Sequence, residues 1–110
     1  SQSVKAARKK WILNMKSLGE ITIDFKAEKA LKSGKSLLPV GATKCIGKFS
    51  RGDVVAVKRE DGQIIAKGLA SFNQLETGKI LGIKSEDIPS LLGYNRKPEL
   101  IHRDNMAFFN

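Results

Sequence analysis

Apolar positions recur at helical spacing along the first stretch of the chain. Val4, Ala7, Trp11, Ile12 and Met15 fall together while Lys5, Arg8, Lys9 and Lys10 crowd the other faces, which predicts an amphipathic helix over residues 4–15. Trp11 reads as its packing anchor. Leu18 and Gly19 end it. A period of two then takes over, placing Ile21, Ile23 and Phe25 on one face of a strand. Asp24 or a neighbour opens a short helix over 26–33, and Gly34 stops it. Residues 36–41 (SLLPVG) form a loop whose two leucines turn inward. From Thr43 onward the pattern is strand-like. Residues 43–49 make one strand, 50–53 (SRGD) a turn, and 54–59 a valine-dense strand. Asp61-Gly62 signals a two-residue hairpin, and 63–72 return as a further strand. Glu76-Thr77-Gly78 breaks the chain. Ser85 caps a short helix with Glu86 and Asp87 in its first turn, and Gly93 closes it. Residues 100–102 and 106–109 read as two last strands. About six short strands with two or three short helices predict a mainly β domain, barrel-like, with peripheral helices. Val54, Val55, Val57, Ile64, Ile65 and Leu69 are its expected centre.

A chain of 110 residues suits one domain, and a hydrophobic fraction of 41% is not that of a disordered tail. The single Cys45 excludes an internal disulfide and suits the cytoplasm. No apolar run approaches the roughly 20 residues that span a bilayer, and no signal peptide is visible, so no membrane role is expected. Charge changes the picture more. The net charge is +9, and it is uneven. Residues 1–36 hold nine Lys/Arg against three Asp/Glu, whereas residues 76–110 hold five against five. Such an excess attracts polyanions, and it equally suits an acidic partner domain or a solvated face. The basic helix from Lys5 to Lys16 is the feature with most functional promise, either as a phosphate-contacting surface or as a helix docking on a neighbouring domain.

Three stretches imitate catalytic motifs. Gly34-Lys35-Ser36 has the tail of a phosphate-binding loop, but Lys29 stands where the first glycine belongs and the segment follows a helix rather than a strand. His102-Arg103-Asp104 matches the start of a kinase catalytic loop, but Phe109 occupies the metal-binding Asn position, and Asn110 comes one place late. A short polar segment in which His102 and Asp104 bond to local backbone, and Arg103 pairs with a carboxylate, is the expected role. Cys45 and His102 could form a nucleophile–base pair only if the fold joined them, and a cysteine in an alternating strand is more often a small core residue. One His and one Cys make no metal site. No catalytic, cofactor or metal residue is assigned.

The stretches RKKWI (8–12), GEITID (19–24), KALKSGKSLLPVG (29–41), RGDVV (51–55), GQIIAKGLASF (62–72), LLGY (91–94) and HRDN (102–105) occur in order along nearly the whole chain. Together they resemble the C-terminal PUA domain of bacterial glutamate 5-kinases. Lys26 departs from that pattern, which has a glycine before Ala27. The resemblance implies a mixed β pseudo-barrel of PUA type over 17–110, preceded by a basic linker helix over 1–16. It implies a parent enzyme of proline biosynthesis that phosphorylates the glutamate side-chain carboxylate with ATP and Mg²⁺ in a kinase domain absent from this chain. No cofactor is expected in the chain itself. The implied role is regulation or assembly, with the parent's own kinase domain and a homo-oligomer as partners. The alternative is an RNA-binding module of an RNA-modification enzyme, binding weakly and with salt dependence. The candidate surface for RNA or for a protein partner comprises Lys5, Arg8, Lys9, Lys10, Lys26, Lys29, Lys32, Lys35 and Arg103, and Gly34, Gly41, Asp61, Gly62, His102 and Asp104 are the candidate structural residues.

Overall fold

In the computed structural model, which describes residues 4–109, the valine-dense segment becomes the middle strand of a five-stranded mixed sheet. The first three residues of the expected 1–16 linker, and Asn110, lie outside the described residues. The elements in chain order are α1 (Val4–Asn14), β1 (Gly19–Ile23), α2 (Phe25–Lys32), β2 (Ala42–Gly47), β3 (Val54–Arg59), β4 (Ile64–Leu69), α3 (Gln74–Ile80), α4 (Ile88–Leu92) and β5 (Met106–Phe108). Short 3₁₀ turns lie at Pro39–Gly41, Ser85–Asp87 and Arg103–Asn105. The strand order is β2-β1-β3-β4-β5; β1 and β3 run parallel and the other pairs antiparallel. The mainly β character with short helices is as expected, but the sheet is open rather than a closed barrel.

β3 is central because both its faces are covered: Val54, Val55, Ala56 and Val57 are all buried. Alternation sends Val55 and Val57 into the main core with Ile21, Ile23, Ala66, Phe72 and Ile101. Ala56 points to the opposite face, where α1 lies across β4 and β5 and buries Ile12. Each fully buried Val or Ile contributes about 1.5–3 kcal/mol relative to an exposed one. α2 packs close to the 3₁₀ turn at Pro39–Gly41. A Cβ on Gly41 would lie 2.5 Å from the Ala27 Cβ, so only glycine fits there. Among the described residues no helix is long and apolar enough to cross a membrane.

Several local expectations are corrected. Phe25 is not a strand residue: Asp24 accepts a 2.8 Å bond from the Ala27 amide, caps α2, and leaves Phe25 exposed in its first turn. Leu37 is buried but Leu38 is partly exposed. The 59–63 connection is not a two-residue turn. Gly62 has φ +95° while Asp61 does not have positive φ, so the type I′ geometry is unavailable. The chain uses three loop residues instead, closed by Arg59 N–H donating to Gln63 O at 2.8 Å, and the Asp61 carboxylate accepts from the Gln63 amide. Ile64 is consequently exposed rather than central. Lys84, not Ser85, occupies the cap position of the 3₁₀ turn that leads into α4. Residues 100–102 form no strand, only a bridge from Ile101 to Leu37, so the sheet has five strands among the described residues.

The largest miss is at Glu76-Thr77-Gly78, which lies inside α3 rather than breaking the chain. Asn73 and Glu76 form a capping box: the Asn73 side chain accepts from the Glu76 amide and the Glu76 carboxylate accepts from the Asn73 amide, each at 2.8 Å. Glu76 is nearly buried and also accepts from the Arg51 guanidinium and the Tyr94 hydroxyl, which tie the 50–53 turn to the end of α4. The Arg51 hydrogen bond, set against burial and aided by Tyr94 and the Asn73 amide, holds the Glu76 carboxyl down at about 2. A carboxyl depressed on folding stabilises the fold above its ordinary pKa and loses that contribution as pH falls through the folded value. Glu76→Ala is therefore expected to cost roughly 2–3 kcal/mol at neutral pH. Melts of both proteins between neutral pH and pH 2 check this: the gap should narrow below about pH 4.5, and a constant gap would show that the charge is not responsible.

Candidate functional site

Two turns and one helix build a basic cleft. α2 ends at Gly34, whose φ of +93° reverses the chain, and the Gly34 and Lys35 amides donate back to Leu31 O and Ala30 O. Lys35 is thereby presented at the surface. Leu37 then exchanges backbone bonds with the C-terminal segment: its amide donates to Ile101 O at 3.0 Å and its carbonyl accepts from Leu100 at 2.7 Å. One residue further on, His102 caps the 3₁₀ turn by accepting the Asp104 amide at Nδ1. The Arg103 amide donates to the Ser36 hydroxyl at 2.8 Å, so the Lys35 and Arg103 turns are bonded to each other. α1 supplies the opposite wall, because Lys5, Lys9 and Ile12 share the helix side that faces the sheet. The resulting open cleft, about 340 Å³, is lined by Lys5, Lys9, Gly34, Lys35, Arg103 and Asp104, with Leu31, Met106 and Phe108 completing the lining.

The cleft carries four cationic side chains and one carboxylate. Asp104 pairs with Lys5 at 3.1 Å, and that hydrogen bond chiefly holds its carboxyl below the usual range, with His102 and Arg103 adding weaker attraction. Both partners are substantially exposed, so the pair is a clasp between α1 and the turn, beyond the local backbone bonding expected of Asp104. The Arg103 side chain makes no salt bridge among the described residues, and the residue lines the cleft. Such an arrangement attracts anions by charge and offers them hydrogen-bond donors.

The other basic residues of the expected surface separate. Lys26 borders a second, more apolar groove between α2 and the 36–41 loop, about 490 Å³ in volume, which shares Lys35 and Leu31 with the cleft. Lys29 lies 5.6 Å from the Phe25 ring centre, and Lys32 pairs with the buried Glu28 at 2.9 Å. Arg8 and Lys10 are exposed on other sides of α1. Asp104 as the anion inside the cleft, and the Lys67 ammonium that caps α1 by donating to Leu13 O and Met15 O, escaped the sequence reading. Both contacts join distant segments, and no local pattern announces them. Glu76 did have a signal, the Asn-x-x-Glu of its capping box.

The Cys45–His102 pair is not assembled. Cys45 lies on β2 and His102 beside β5, at opposite edges of the sheet, and burial pushes the Cys45 thiol up, away from the reactive thiolate. The Ser36 hydroxyl is engaged by Arg103 N–H and opens no helix, unlike a phosphate-binding loop. Among the described residues no group of three His, Cys, Asp or Glu could hold a metal ion.

The PUA domain family profile matches residues 19–92. This chain belongs to the PUA domain family. Among curated proteins it is similar to a glutamate 5-kinase of Brucella anthropi, 48% identical over 102 residues, covering 92% of this chain and 27% of that protein. The PUA chain thus spans about a quarter of that relative's length, its C-terminal region. Among solved structures, it resembles a PUA domain of Aeropyrum pernix K1 in a tartrate complex, with TM-score 0.55, 25% identity, and coverage of 78% of this chain and 43% of that one. It also resembles a chain of the archaeal box H/ACA sRNP Nop10–Cbf5 complex, with TM-score 0.52, 28% identity, and coverage of 55% and 19%.

Asp104→Ala removes the cleft's one carboxylate from an exposed pair. The PUA domain's melting temperature is expected to stay nearly unchanged, while inorganic pyrophosphate or a short polyphosphate binds more tightly. Melting curves beside calorimetric titrations measure both. A large drop in melting temperature would show that the pair is a main support of the fold despite its exposure.

Proposed function

We propose that this chain is the non-catalytic accessory PUA domain of a glutamate 5-kinase, serving regulation or assembly of a kinase domain that precedes it. The observation that carries this is the 48% identity across 92% of the chain to a glutamate 5-kinase of which it spans only 27%. On this reading ATP, Mg²⁺ and glutamate are bound upstream in a cytoplasmic enzyme of proline biosynthesis, and the γ-phosphoryl group moves to the glutamate side-chain carboxylate there. The purified 110-residue chain should form no γ-glutamyl phosphate from ATP, Mg²⁺ and glutamate, trapped as the hydroxamate. Removing the chain from the full-length enzyme should leave phosphoryl transfer measurable while changing the oligomer on sizing or the response to feedback effectors. A truncated enzyme identical to the intact one in assembly and regulation would sink the proposal.

A second reading, RNA binding, is favoured by one observation: Lys5, Lys9, Lys35 and Arg103 line one open cleft of about 340 Å³. The similarity to a chain of an sRNP complex supports it. With about four phosphate contacts, log K for single-stranded RNA should fall against log salt with a slope near −3. Mobility shifts with a single-stranded oligoribonucleotide across a salt series measure the slope. Lys35→Glu with Arg103→Glu should abolish the shift in a protein whose circular dichroism is unchanged; a mutant that still shifts the RNA would rule this surface out.

A further inference from the structure

α1 is amphipathic in an unexpected sense, because its apolar stripe faces away from the domain. At 3.6 residues per turn, Val4, Ala7 and Trp11 fall within about 60° of the helix circumference, and Met15 continues the line just past its end. All four are exposed: Val4 at 88%, Trp11 at 51%, Met15 at 39%, and Ala7 likewise open. Leu18, at 47%, extends the apolar surface toward β1. The side of α1 that meets the sheet carries Lys5, Lys9 and Ile12. The helix is nevertheless well held, by the Lys5–Asp104 pair near its start, by Ile12 in the middle, and by Lys67 on its terminal carbonyls. A fixed helix with a contiguous outward apolar stripe containing Trp is the mark of an interface rather than of a solvated face.

We propose that this stripe docks the domain that precedes the chain in the full-length protein, an inference that rests on the accessory-domain reading. The chain matches the C-terminal 27% of its glutamate 5-kinase relative, so roughly three-quarters of such a protein lies upstream and connects into the first turn of α1. Tethering at that point holds the upstream domain beside the stripe at high effective concentration. Charge argues against a second copy as the occupant. α1 carries Lys5, Arg8, Lys9 and Lys10 and no acid, and Arg8 and Lys10 lie to either side of the stripe. A two-fold pairing of this face with itself would set those cations against one another. The fitting surface is apolar at its centre with an acidic rim.

Oxidative footprinting read by mass spectrometry tests this at Trp11 and Met15, comparing the 110-residue chain with the full-length enzyme. Glutamate kinase activity of the full-length protein is measured first, and its absence would overturn the accessory-domain reading and this proposal with it. In an active enzyme, oxidation of Trp11 and Met15 should fall severalfold relative to the isolated chain, independently of protein concentration, while exposed Phe25 and Leu75 keep their rates. Trp11→Glu in the full-length enzyme should restore Met15 oxidation and leave the amide protection of β3 and β4 intact. Equal rates in both proteins, or Met15 still shielded in Trp11→Glu, would overturn the docking proposal alone. Protection that appears in the isolated chain as concentration rises would assign the stripe to a second copy and overturn it. Protection of Trp11 in the isolated chain by added tRNA would assign it to nucleic acid and do the same.

Discussion

The pairing of Leu37 with Ile101 is the constraint on which the functional surface rests. Two backbone hydrogen bonds join segments more than sixty positions apart, and both side chains are fully buried. The charged groups of one wall, Lys35, Arg103 and Asp104, are placed relative to that pair. Lys35 stands two residues before Leu37, and Arg103 two residues after Ile101. Ser36 and Arg103 then bond across the gap, so the two turns move as one body. The backbone that carries Lys35 and Arg103 is anchored in the core, and the Lys5–Asp104 pair ties the opposite wall to it.

α1 couples this cleft to whatever adjoins it. One side of the helix contributes Lys5 and Lys9 to the basic wall, and the other shows an apolar stripe to the outside. The same rigid element therefore belongs to two surfaces. A shift of α1 by an ångström or two would change the Lys5–Asp104 distance, and with it the charge available in the cleft. Occupancy at one surface can be felt at the other only through an element of this kind.

Much of the fold was legible because period and punctuation are local. β3 emerges at its predicted bounds, and α2 stops at Gly34 as its cap and glycine imply. Resemblance to PUA domains supplied the family. What could not be read depends on partners far away in the chain. α3 was missed because Thr77 and Gly78 are weak helix formers, and its stability comes from Glu76 meeting Arg51 and Tyr94. The outward turn of the α1 stripe is not legible because an amphipathic pattern says that a face is covered, not by what. Of the basic residues, the sequence could name the set but not the subset. Lys32 is neutralised by Glu28, and Lys29 leans on Phe25, so neither adds to the cleft.

Trp11 has a practical bearing on how this domain is observed. It is the only tryptophan in the chain, and it sits half exposed on a surface helix rather than among the strands. Its emission in the isolated domain therefore starts close to that of a solvated indole and changes little when the β core melts. Fluorescence is then a poor thermometer for unfolding and a sensitive gauge of whatever covers α1. Stability is better followed through the far-ultraviolet signal of the sheet, leaving the indole free to report on association.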